Sequence, residues 1–284
     1  MESLSEFLQD HNIYFNFFSF ANLLATVFTF LVGLFLVTLK NRSKSTTHLG
    51  MVFMWMAPFG LAYVFAHSYY GPEAAYHRWI TVGIILFPLI HMAQWCFKYP
   101  ENIYPILSRV FLSVQYLVSF VFTVYFILLS LEVGIKFNFA GHHFDFDADQ
   151  FSSDFGKIIM LYMLLILVVT VWKIIVTKTS ERWTVLAISF AMLASTLPVG
   201  YLNVASRDGY ISRGTFATMF VIMTVIGYFI MVVLYINHTS DRTSFMAKIV
   251  GISLVSFLVM MQVISLLTLR SREKEYDALH VEYV

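Results

Sequence analysis

Charge is what this sequence has least of. Only 12% of its 284 residues are charged, against about a quarter in an ordinary soluble domain. Almost none of that charge falls inside the long apolar runs, and histidine is the one side chain near their centres that titrates near neutral pH. Dry, uncharged spans argue against an ion pump. Cysteine is nearly missing too: Cys96 stands alone, so no internal disulfide forms and the redox compartment stays open. The net charge of +1 argues against a polyanionic partner, nucleic acid included. The sequence carries no Gly-rich phosphate loop, no Gly-x-Ser-x-Gly, no His-Glu-x-x-His and no Cys-x-x-Cys. The N-terminus carries Glu2, Glu6 and Asp10 instead of a basic n-region, so no signal peptide is expected.

What the chain does have is apolar length. Hydrophobic residues make up 59% of it, with 29 Phe and 16 Tyr. Crossing about 30 Å of hydrocarbon takes roughly 20 apolar residues in a helix. Runs that meet this length cover 17–39, 49–69, 79–97, 110–131, 158–176, 183–204, 216–236 and 245–269. The fold expected is therefore all-α, a polytopic transmembrane bundle of about eight helices with one long extracytoplasmic loop. Residues 1–269 form the membrane domain and 270–284 a tail. The loops 40–48, 70–78 and 98–109 are short, whereas 132–157 is long, polar and acidic. No internal repeat is evident, which lowers the case for an inverted-repeat transporter.

Lysine and arginine in short loops set the orientation. Lys40, Arg42, Lys44, Lys98, Arg109, Lys173, Lys178, Arg182, Arg242 and Lys248 fall on one side, assigned to the cytoplasm. Arg78, Lys136, Lys157, Arg207 and Arg213 fall on the other. Eight spans place both termini outside. A seven-span alternative, in which 183–204 fails to cross because of Pro198 and Asn203, places the tail inside.

The richest polar constellation lies in the long loop: His142, His143, Asp145, Asp147 and Asp149. In an extended segment the alternating aspartates share one face, and Phe144 and Phe146 share the other. Carboxylates beside imidazoles can hold a divalent cation or sense pH. They can equally form the solvated edge of a β-hairpin lid. The lid is the commoner use of such a loop, and metal binding is left open. His67, His77 and Arg78 belong to the same outer rim, and Arg78 is placed to pair with an aspartate of the loop. Tyr76 and Trp79 read as interface anchors. Inside the membrane, His91 and Gln94 lie three apart on one helical face. Interhelical hydrogen bonding is their commoner use. With no second histidine in view, His91 supports neither a di-iron box nor bis-histidine haem, and no cofactor is expected. Pro58, Pro88 and Pro198 should kink their helices.

Three stretches carry a resemblance: Tyr76-His77-Arg78-Trp79, residues 141–149 and residues 245–254. Together they resemble the N-terminal multi-span sensor region of bacterial membrane signalling proteins. It is similar to the seven-helix region that opens some histidine kinases and receptors with PPM-type phosphatase or cyclase output. The resemblance implies a non-catalytic receptor-like module of a bacterial cytoplasmic membrane. Signals would be perceived at the extracytoplasmic loops and relayed through the last helix. Its partners would be the lipid bilayer, a second copy in a homodimer and a downstream signalling domain. The chain departs from that pattern by ending at Val284 before any output domain. It is expected to be either the first part of a longer protein or a free-standing module. The alternative function is a carrier for a small neutral or lipid-like solute, with His91 and Gln94 as its midplane site.

Overall fold

The computed structural model describes residues 12–138, 143–207 and 209–239. Its helices are α1 (Phe17–Thr38), α2 (Lys44–Ser68), α3 (His77–Lys98), α4 (Pro105–Ser130), α5 (Asp149–Val176) and α6 (Thr179–Arg207). A broken helix follows, made of α7 (Arg213–Ile222), a π-helical turn (Met223–Gly227) and α8 (Tyr228–His238). Among the described residues, seven helices are long and apolar enough to cross a membrane, and the chain is a multi-pass membrane protein. The run at 245–269 and the tail lie outside the described residues.

The apolar runs locate the helices well but place several starts too late. α2 begins at Lys44 instead of 49, α4 at Pro105 instead of 110, and α5 at Asp149 instead of 158. The reason is capping. Ser43 accepts the Thr46 amide and opens α2 in polar surroundings, and Pro105 preorganises the first turn of α4. Helices thus run past the hydrocarbon into the headgroup layer, where hydropathy no longer reports them. Pro58, Pro88 and Pro198 all sit inside helices. α6 runs through Pro198 and Asn203 as one helix, so the segment doubted on sequence is long enough to cross.

Glycine sets how closely neighbours approach. A Cβ on Gly60 would stand 2.4 Å from Thr26 Oγ1 of α1, and one on Gly227 would stand 2.0 Å from Ser195 Oγ of α6. Only a residue without a side chain fits there, as is common where membrane helices touch. Helix α3 is the most enclosed and α4 the least. Along α4, Val110, Val114, Leu117, Val121, Val124 and Leu128 are exposed at intervals of three or four residues, an apolar stripe turned away from the other described helices.

The long loop folds as a two-stranded antiparallel hairpin, β1 (Ile135–Asn138) with β2 (His143–Phe146). It lies over the end of the bundle where α2 stops and α3 starts. Between them, a 3-10 turn at Pro72–Tyr76 feeds α3, so His77 and Arg78 belong to its first turn and not to a loop. The segment before α1 closes the same end: Tyr14 N–H donates to Ser68 O (2.7 Å) and Tyr70 N–H to Asn12 O (2.9 Å).

Candidate functional site

The hairpin end gathers most of the expected rim residues. His143 of β2 is buried between His67 of α2 and His77 of α3, with ring centroids 5.3 and 5.2 Å apart and edge-to-face. Tyr63 flanks both helix histidines, at 6.0 and 5.4 Å. The His77 Nδ1 lies 2.7 Å from the Ala74 carbonyl, which can only accept, so Nδ1 carries the proton. Its Nε2 is buried and has no hydrogen-bond partner among the described residues. His142 lies outside the described residues.

Arg78 joins the hairpin to the helices. Its Nε is 3.1 Å from Asp145 Oδ1 and its Nη2 donates to Ser152 Oγ of α5 (3.3 Å). Its guanidinium also sits 5.8 Å above the Phe126 ring of α4. The pair is largely enclosed, with 17% and 20% of the two side chains exposed. Phe146 fills the space beneath, against Phe126 and Tyr76. Three elements besides its own helix therefore converge on one guanidinium.

The expected row of three aspartates on one extended face does not form. β2 ends at Phe146: the Asp147 amide still pairs across to Gly134 O (2.8 Å), and the Ala148 amide then turns back to Phe146 O (2.8 Å). Asp149 then opens α5, where an acid favours the helix N-terminus. Asp147 and Asp149 both accept from Lys136 of β1, at 2.7 and 2.8 Å. These two carboxylates hold the Lys136 ammonium well above the usual lysine range. Each aspartate of the row thus has a basic partner. No three His, Cys, Asp or Glu side chains among the described residues are set to hold a metal ion.

Within the membrane, His91 is not alone. Its Nδ1 is 2.8 Å from His48 Nδ1 of α2, and its Nε2 is 2.8 Å from the Tyr116 hydroxyl of α4. Sequence reading put His48 in a loop; the early start of α2 carries it into the bundle instead. Gln94 donates to Ser108 O (2.8 Å) and accepts from Ser108 Oγ (2.6 Å). Both residues tie α3 to its neighbours, the use favoured from sequence. Trp79 does the same, donating from Nε1 to Ser130 Oγ of α4 (2.8 Å).

Lys173, read from sequence only as a charge that sets orientation, has a structural role. Lys173 of α5 is 2% exposed and donates to the carbonyls of Phe97 (3.3 Å) and Glu101. It caps the C-terminal end of α3 from a neighbouring helix. A lysine near the end of an apolar run was the available signal, but its burial was not legible there. No family model matches the sequence, and no curated protein is found as its relative.

Proposed function

We propose that this chain is the membrane-embedded sensory module of a bacterial signalling protein, with the docked hairpin as its signal-receiving element. The observation that carries this reading is the latch at the hairpin end. Asp145 and His143 bind the hairpin to α2 and α3 through an ion pair and ring contacts that a bound ligand or a change in protonation can exchange, and Arg78 extends the latch to Ser152 of α5. Those contacts reach the first turn of α3, the most enclosed helix, which runs on to Lys98 at the opposite end. A rigid element with one end in the latch can carry a displacement across the bundle. The downstream output domain, the homodimer and the cytoplasmic membrane belong to the same proposal, resting on the resemblance and on the loop charges.

The carrier reading is weaker, because His91 and Gln94 are engaged with His48, Tyr116 and Ser108 and do not face an open midplane site. The test is hydrogen–deuterium exchange on the protein in lipid nanodiscs, comparing wild type with Asp145→Asn. A sensor shows faster exchange both in the hairpin and at the far end of α3. A change confined to the hairpin makes it a lid and ends the sensory reading. Solute uptake lost in His91→Ala would establish the carrier.

A further inference from the structure

We propose that the end of the bundle opposite the hairpin holds the phosphate of an anionic phospholipid between Lys44 and Lys98. This site is independent of the sensory reading. Lys98 is the last residue of α3, and its ammonium contacts two neutral oxygens, Gln94 Oε1 and Ser108 Oγ (3.0 Å). An ammonium has three N–H donors, so one is left to point elsewhere. Lys44 is the first residue of α2; its neighbours Ser45 and Thr46 share hydrogen bonds with the Tyr235 hydroxyl (3.0 and 2.7 Å), and the Tyr235 ring packs on Tyr99, the residue after Lys98 (5.1 Å), so the two lysines stand at the same end and their like charges repel. Among the described residues no carboxylate pairs with Lys44 or Lys98. Of the described acids at this end, Glu101 reaches Lys178 (3.5 Å) and Glu181 lies beside Tyr99.

Two of the helix starts at this end are free of acid. α2 and α4 both start at this end, and neither has an acidic residue in its first turn. Two cations that no carboxylate among the described residues answers suit an anion. Depth and surface choose its kind. Lys44 and Lys98 sit where helices leave the hydrocarbon, the level of lipid phosphates. Ser108 is buried toward Lys98, while Ile106, Leu107 and Val110 of the same helix turn outward, exposed. A headgroup on the lysines can thus lay its acyl chains along the apolar stripe of α4, which a free phosphate cannot use. Basic pockets between membrane helices bind anionic headgroups in this way.

The experiment titrates the detergent-solubilised full chain with phosphatidylglycerol, with phosphatidylcholine of the same chains, and with inorganic phosphate, following bound lipid by native mass spectrometry. Saturable binding of phosphatidylglycerol is expected, weakened about fivefold by Lys98→Gln and about fivefold by Lys44→Gln. Lys178→Gln, on the same end but paired with Glu101, leaves it unchanged. Equal binding of phosphatidylcholine overturns the proposal, and so does equal weakening by Lys178→Gln. Full competition by inorganic phosphate at matched concentration makes the site one for a soluble anion and also overturns it. Should Lys98→Gln fail to fold, Lys44→Gln decides alone, and unchanged affinity refutes the site.

Discussion

The two ends of this bundle handle charge in opposite ways. At the hairpin end, Arg78, Lys136 and Lys157 each meet a carboxylate within 3.1 Å. At the other end lie Lys40, Arg42, Lys44, Lys98, Arg109, Lys173, Lys178 and Arg182, and among the described residues only Lys178 has an acidic partner. The matched end is held shut by specific pairs, and one of them is enclosed. The unmatched end keeps a field that outside groups can answer. Sequence alone gives the asymmetry of sign, because loop charges are visible. It does not give the asymmetry of pairing, which depends on the hairpin folding back.

The enclosed pair is where that comparison breaks most easily. Arg78→Met leaves the Asp145 carboxylate without its cation in a mostly buried place. A loss of about 3–5 kcal/mol of hairpin docking is expected, read as rapid proteolysis or exchange of 143–147 in a protein whose helices persist. At the opposite end, Lys173→Met strips the donor from the Phe97 and Glu101 carbonyls. Thermal unfolding should show a loss of about 1–3 kcal/mol, and an unchanged midpoint would mean that Lys173 caps nothing.

Between the ends, Gly227→Ala drives a Cβ against Ser195. A cost of about 1–3 kcal/mol is expected, partly recovered when Ser195→Gly is added. Unchanged stability in the single variant would show that α6 and the π-helical turn are not in close contact.

The smallest effect belongs to Lys136. Its ammonium titrates above the ordinary lysine value, so its contribution is complete below about pH 10. It is lost only as pH rises through the raised value. The group is 43% exposed, and solvent screens it. Lys136→Gln should cost less than about 1 kcal/mol and leave stability at neutral pH nearly flat with pH. A cost comparable to that of Arg78→Met would erase the distinction between enclosed and exposed pairs.

How much of this was legible beforehand follows from which forces write themselves into a sequence. Burial in lipid does, because it demands long apolar runs, and the seven described spans lie where those runs lie. Caps do so only locally, so Ser43 and Pro105 were passed over and His48 was misplaced. The rim histidines and Arg78 were recognisable by type and by side of the membrane. Their convergence required β2 to dock across α2 and α3, a long-range contact with no periodic trace. The aspartate row failed for a local reason: the strand stops at Phe146, and a helix claims Asp149.

The central claim is that the latch at the hairpin end is coupled to the far end of α3. The most direct measurement is a charge-exchange cycle on Arg78 and Asp145 in lipid nanodiscs, with exchange of the amides near Lys98 as the readout. The account predicts that Arg78→Asp and Asp145→Arg each speed exchange there, and that the double variant returns it toward wild type. Exchange near Lys98 that ignores all three variants, while the hairpin responds, would contradict it.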